Sequence, residues 1–201
     1  MNIAYFGGTF NPPHRGHEQL IREVLKLELF DLVAAVPVNI PPHKEAGEDT
    51  EAQDRLQMAR LAFGPISGCT VDETEILRGG VSYTIDTVND FSRRYSVEGK
   101  IGVVIGYDLV EGLRTWKSWD KLKSRVHFLI ARRGREETDL SPLEGCEYTL
   151  LDNPLIHISS EEIRRKASRG EDITGFVSEP VAGYIARRGL YGSKADNSSG
   201  S

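Results

Sequence analysis

Two histidines three residues apart, His14 and His17, close the run Gly7-Gly8-Thr9-Phe10-Asn11-Pro12-Pro13-His14-Arg15-Gly16-His17. An apolar run, Ile3-Ala4-Tyr5-Phe6, precedes it, and Leu20, Ile21, Val24 and Leu25 follow at helical spacing. The order reads strand, glycine turn, helix start. Glycines let a backbone approach a bulky anion closely, and a helix N-terminus presents N–H groups and the positive end of its dipole. Imidazoles at that helix start add side-chain donors beside the same anion, so phosphate binding is the chemistry this pattern suits. A zinc site lacks its sequel: His-Arg-Gly-His-Glu is not His-Glu-x-x-His, and no third ligand stands out. Core or capping histidines are the plainer alternative, and the surrounding glycine turn weighs against it.

A second anion clamp is expected at Ile158-Ser159-Ser160-Glu161-Glu162-Ile163-Arg164. Ser159 or Ser160 would cap the helix that follows, with Glu162 or Glu161 completing a capping box. A capped helix start with a serine hydroxyl, and Arg164 one turn on, also suits phosphate. Trp116 and Trp119 sit three apart. Trp119 is assigned to the core, and Trp116 is the better platform for a flat cationic ring, because indole faces attract cations. Gly106 would let a strand end approach a ligand. Asp108 offers an acceptor for ribose hydroxyls or an N-cap, and Arg132 ends a strand where a ligand-facing cation fits. Lys44, in Pro41-Pro42-His43-Lys44, reads by itself as a solvated loop charge.

These residues need a frame, and the chain supplies an alternating one. Strands are expected at 2–6, 32–37, 69–73, 101–106, 126–131 and 147–151, with helices near 16–29, 51–63, 83–95, 118–124, 160–168 and 178–187. Such alternation predicts an α/β fold: a Rossmann-like, doubly wound parallel sheet with helices on both faces, in a single domain over 1–192. Ligands on such sheets lie beyond the carboxyl ends of the strands, where strand order reverses. The ends at Gly7-Gly8 and at Gly106-Tyr107-Asp108 are the pair expected at that crevice. The loop 38–50 reads as a surface segment and lid candidate, and 193–201 as a disordered tail.

Composition narrows the partners. The 201 residues carry a net charge of −5, with 39% hydrophobic and 27% charged residues. An acidic chain with cations gathered at Arg132-Arg133 and Arg164-Arg165-Lys166 suits a small phosphorylated ligand, not a nucleic-acid polymer. No apolar run approaches the roughly 20 residues that span a bilayer, and no secretory signal is visible, so no membrane association and a cytoplasmic location are expected. Cys69 and Cys146 have no metal-ligand spacing and read as buried, reduced thiols. Composition leaves a homo-oligomer open.

The first motif resembles the mark of the nucleotidyltransferase superfamily, (His or Thr)-x-Gly-His after the first strand. Pro41-Pro42-His43-Lys44, Ser82-Tyr83-Thr84-Ile85-Asp86-Thr87, Gly106-Tyr107-Asp108, Thr115-Trp116, Ile158 to Arg164 and Gly189-Leu190-Tyr191 fall in the order of bacterial nicotinate mononucleotide adenylyltransferases. That resemblance spans Asn2 to about Tyr191. It implies transfer of the adenylyl group of ATP to nicotinate mononucleotide, giving deamido-NAD and pyrophosphate, with Mg2+ carried mainly by phosphate oxygens and no dedicated protein metal cage.

By the same resemblance, His14, His17, Lys44 and Arg164 serve the chemistry. Gly7, Gly8, Thr9, Phe10, Gly106, Asp108, Ile158, Ser159 and Ser160 join the histidines and Arg164 around ATP. Thr84, Trp116, Lys44, Asp108 and Arg132 hold the mononucleotide, with Trp116 stacked on its ring and the backbone near Thr84 receiving its carboxylate. Lys117, next to Trp116, has an ammonium that would help select the acid. The sequence departs from the family at two places. Glu161 stands where threonine is common, and a carboxylate facing a triphosphate would repel it, so Glu161 is expected to point to solvent. Arg132-Arg133-Gly134 stands where Arg-Pro-Gly is usual, which leaves either arginine as the one facing the site. The rival readings are adenylation of nicotinamide mononucleotide or phosphopantetheine, cytidylyl transfer, and a non-catalytic nucleotide-binding regulator.

Overall fold

A computed structural model describes residues 1–41, 50–132, 139–154 and 157–193. Six strands form one parallel sheet: β1 (Ile3–Gly8), β2 (Leu32–Pro37), β3 (Cys69–Val71), β4 (Ile101–Gly106), β5 (Val126–Ala131) and β6 (Glu147–Leu150). Their order is β3-β2-β1-β4-β5-β6, so the chain winds outward in both directions from the β1/β4 boundary. Seven α-helices accompany them: α1 (Arg15–Lys26), α2 (Ala52–Phe63), α3 (Thr74–Arg78), α4 (Thr84–Arg94), α5 (Trp119–Lys123), α6 (Ser160–Ser168) and α7 (Glu179–Arg188).

Both faces of the sheet are apolar because successive strand residues point to opposite sides. Ala4, Phe6, Val33, Ala35, Val104 and Leu129 meet one helix layer, built from Ile21 of α1, Met58 and Phe63 of α2, Ile163 of α6 and Val181 and Ile185 of α7. Ile3, Tyr5, Ala34, Val36, Val103, Ile105, Phe128 and Ile130 meet the other, with Ile85, Val88 and Phe91 of α4 and Leu122 of α5. Two-sided burial is why these strands read as continuous apolar runs in place of alternating ones.

The sheet is paired unevenly where it matters most. The β1–β2 ladder runs to Gly8↔Pro37 and the β4–β5 ladder to Gly106↔Ala131. Between β1 and β4 the ladder holds only Ala4↔Gly102 and Tyr5↔Val103. The two central strands are therefore joined near their bases and unjoined at their carboxyl ends, which sets the crevice at the switch point.

All six expected strands and six expected helices are present, and α3 is the addition. It spans five residues, too few to show a helical period, and ends at Gly79, whose φ of 70° is the left-handed kind a glycine tolerates. Gly7 and Gly8 also differ from expectation, since they close β1 and do not make the turn. A Cβ on Gly7 would lie 2.1 Å from the Tyr5 hydroxyl oxygen, and one on Gly8 would lie 2.7 Å from the Phe10 ring. These glycines are required first by the protein's own side chains. The turn itself falls on Thr9–Pro13, with Phe10 in the left-handed region at φ 49°.

Beneath Gly7, a fully buried polar cluster joins the sheet to the second helix layer. The Tyr5 hydroxyl donates to Glu75 Oε1 at 2.9 Å, and the Thr87 hydroxyl donates to the same oxygen at 2.6 Å. Burial and the Glu75 carboxylate hold the Tyr5 phenol well above its ordinary range, so it remains a donor at physiological pH. Tyr5→Phe should destabilise the fold by about 1–3 kcal/mol, because it strips a donor from a buried carboxylate. A melting temperature lowered by about 2–4 °C per kcal/mol would report it, and an unchanged one would refute it.

Candidate active site

His14 is the N-cap of α1 and His17 its third residue. The His14 N–H donates to His17 Nδ1 at 3.2 Å, and the His17 N–H returns to the His14 carbonyl at 2.8 Å. The two imidazoles stack with centroids 3.6 Å apart. Because His17 Nδ1 accepts, the proton of the neutral ring sits on Nε2, and that nitrogen becomes a donor. The histidine pair thus fixes its own geometry before any anion arrives.

Phe10 holds this arrangement from below. Its ring is buried against Phe63 at 5.0 Å, His17 at 5.2 Å and Phe6 at 5.5 Å, so only its backbone is available to a ligand. Three distant side chains then secure the turn. Tyr191 donates its hydroxyl to Asn11 Oδ1 at 2.6 Å, Arg164 Nη1 donates to the Asn11 carbonyl at 2.8 Å, and the Ser160 hydroxyl donates to the Pro12 carbonyl at 2.9 Å. Arg55, only 5% exposed, donates to the carbonyls of Thr9, Val38 and Asn39 at 2.6–3.0 Å, joining the turn to the exit of β2.

One cavity of about 510 Å³ collects most of the expected phosphate residues. His14, His17, Arg132, Ile158, Ser159 and Ser160 line it. Ser159 is the cap of α6, its hydroxyl accepting from the Glu162 N–H at 3.1 Å, which leaves Ser160 for the turn. Glu161 is exposed, as its charge demands, whereas Glu162 reaches the cavity wall. Arg132, expected to hold the mononucleotide, also lines this cavity. Asn153 pins it there, accepting from the Arg132 N–H at 2.8 Å and donating to its carbonyl at 2.9 Å. Arg133 and Lys44 lie outside the described residues.

Gly106, Asp108, Thr84 and Trp116 are not among the residues that line this cavity. Gly106 ends β4, and exposed Asp108 lies inside the short 3₁₀ turn Tyr107–Leu109, not at its cap. Thr84 opens α4, whose N-cap Tyr83 has no side-chain capping bond. Trp116 follows the 3₁₀ turn Leu113–Thr115 and packs half-buried against the core, while Trp119 stacks on Phe128 with centroids 5.8 Å apart. Lys117 does not stand alone, because its Nζ is 2.9 Å from Asp86 Oδ2. Cys69 and Cys146 are half-buried, and burial pushes the Cys69 thiol up to about 11, which leaves it unreactive.

Residues 5–166 match the family model described as cytidylyltransferase-like. A nicotinate-nucleotide adenylyltransferase from Treponema pallidum is 35% identical over 95% of this chain and 99% of its own length. One from Exiguobacterium sibiricum is 39% identical over 95% and 99%. The chain belongs to this family of nucleotidyltransferases. Two solved chains of Plasmodium falciparum nicotinic acid mononucleotide adenylyltransferase, complexed with NaAD and with APC, superpose with TM-scores of 0.79 and 0.74. Each is 22% identical and covers 95% of this chain and 97% of its own, a likeness that speaks to the fold.

Several residues of this adenylyltransferase site gave no local signal. Arg55 lies in the first turn of α2 with nothing around it to announce burial, and Tyr191 meets Asn11 across 180 positions. Asn153-Pro154 is the exception, since that dipeptide after β6 is a readable turn signal. No three His, Cys, Asp or Glu side chains converge as a metal-holding group among the described residues. No described helix is long and apolar enough to cross a membrane.

Proposed function

We propose that this adenylyltransferase joins nicotinate mononucleotide to the adenylyl group of ATP, releasing pyrophosphate and deamido-NAD. The observation that carries the reading is the cavity in which His14, His17, Arg132 and Ser160 meet. The relatives' names and the NaAD complex of a structural neighbour support the same substrates.

A mononucleotide phosphate is already a nucleophile at neutral pH, so its oxygen attacks the α-phosphorus without a general base. The bond to the bridging oxygen breaks and negative charge moves onto pyrophosphate. Catalysis is then positioning and neutralisation. His17 Nε2 and His14 donate to the phosphates that gain charge, and Ser160, Arg164 and Lys44 hold the outer phosphates. Gly7, Gly8, Thr9, the Phe10 backbone and Gly106 pass close to the nucleotide. Asp108 accepts from ribose hydroxyls, Ile158 and Ser159 border the nucleotide, and Trp116 carries the pyridine ring. The described residues offer donors to anions, with Glu162 as the one carboxylate on the cavity wall, and they do not form an oxygen cage. Mg2+ carried on the triphosphate would supply charge neutralisation there. The cytoplasm is the proposed location.

Pyrophosphate release from ATP with each mononucleotide in turn tests the reading. Release with nicotinate mononucleotide supports it, and release with neither nucleotide would leave only a nucleotide-binding protein.

Arg164 offers a separate test of the ATP side. Its single hydrogen bond among the described residues goes to Asn11, so its other donors remain for phosphate. Arg164→Ala should weaken ATP by about one to two decades, the scale of a charged hydrogen bond, while barely changing AMP. Equal losses for ATP and AMP, measured by calorimetry, would make Arg164 purely a brace for the turn.

A further inference from the structure

Lys117 follows the proposed ring platform Trp116 and reaches across to α4. Its Nζ lies 2.9 Å from Asp86 Oδ2 and 4.4 Å from the centroid of the Tyr83 ring. Tyr83 is the N-cap of α4 and Asp86 lies in its first turn. Helical bonding starts with the Asp86 and Thr87 N–H groups on the Tyr83 carbonyl, so those of Thr84 and Ile85 precede it without a helical acceptor. A carboxylate in the first turn favours the helix itself. Beside an anionic ligand it has the opposite effect, because it offsets the positive helix end and repels a second carboxylate.

Other charges of α3 and α4 have partners of their own, Arg94 with Asp72 at 2.6 Å among them. Asp90 pairs with Arg78 at 2.6 Å and approaches Arg93 at 3.8 Å, and Glu75 accepts from Tyr5 and Thr87. Asp86 is balanced from a different element, by the residue adjoining the ring platform. The pair is partly exposed and so contributes little to stability. Its effect is on the charge met by whatever docks between Trp116 and Thr84.

We infer that Lys117 determines acid-over-amide specificity without touching the ring, by neutralising Asp86 at the start of α4. This inference rests on the proposed use of nicotinate mononucleotide. The ammonium over Tyr83 and against Asp86 keeps the helix start net positive, so a ring carboxylate is favoured and an uncharged carboxamide is indifferent. A direct ammonium–carboxylate contact is a different arrangement, and it predicts a different outcome below.

Four proteins decide it: wild type, K117M, K117R and K117M/D86N, each assayed with ATP and either mononucleotide. K117M should lower kcat/KM for the acid about tenfold, the Coulomb scale for like charges about one helical turn apart at a partly exposed site. The amide should change by less than about twofold, since its carboxamide carries no negative charge for Asp86 to repel and the two nucleotides share the ring and phosphate charges. K117R should behave as wild type. K117M/D86N should recover the acid, because both charges have gone together. Equal loss for acid and amide in K117M, or a double variant as poor as K117M, would overturn the inference. If K117M melts early, the wild-type acid-to-amide ratio should still fall as salt screens the helix end, and a flat ratio would overturn it. Wild-type protein that turns over neither mononucleotide refutes the substrate reading itself, a failure recognisable before any variant is made.

Discussion

Nicotinate mononucleotide should exceed nicotinamide mononucleotide in kcat/KM by at least about two decades. The two differ only by a carboxylate against a carboxamide on the same ring, so size cannot separate them. Hydrogen-bond polarity can. The Thr84 and Ile85 N–H groups at the start of α4 suit two carboxylate oxygens, and an amide NH₂ would face donors with donors. Sites that leave buried polar groups unpaired discriminate by about 10⁴–10⁵, and two decades is a conservative share of that range. Trp116→Ala should weaken both nucleotides through lost stacking and leave their ratio nearly unchanged. Comparable wild-type efficiencies for acid and amide would replace the substrate while leaving adenylyl transfer in place.

His17→Ala should reduce turnover by roughly 10²–10³, the cost of one donor aimed at developing charge. The structure makes this expectation specific to Nε2, because Nδ1 is engaged by the His14 N–H. Ground-state ATP affinity should fall far less, since the donor matters most where charge is greatest. Alanine also removes a ring that packs on Phe10 and Phe6, so His17→Asn provides the check, keeping a polar side chain near the helix start. Either variant retaining more than half of wild-type turnover while still folded would remove His17 from the mechanism.

The centre of the sheet was legible because two-sided burial writes β1, β2, β4 and β5 as apolar runs. The anion motifs were legible because their signals are local: glycine, proline and histidine before α1, serine before α6. What local reading missed depends on long-range contact. Arg55 tying Thr9 to Val38 is invisible within any window of helix α2. Asn153 holding the Arg132 backbone is another such contact. The glycine pair illustrates a subtler gap, since its nearest neighbours are Tyr5 and Phe10 and a ligand was the expected reason for it.

The hydrogen bond between Tyr191 and Asn11 sets a timetable. One anchor of the turn that carries the histidines is synthesised 180 residues after the turn itself. At synthesis rates of about 5–20 residues per second, that anchor arrives roughly ten to forty seconds after the turn itself. Arg164, the second anchor, comes 153 residues behind Asn11. An unfinished chain can therefore form β1 and α1 while the histidine turn still lacks both of these bonds. The two bonds make the finished shape of the histidine turn a late event in the life of each molecule, one that waits on synthesis through Tyr191.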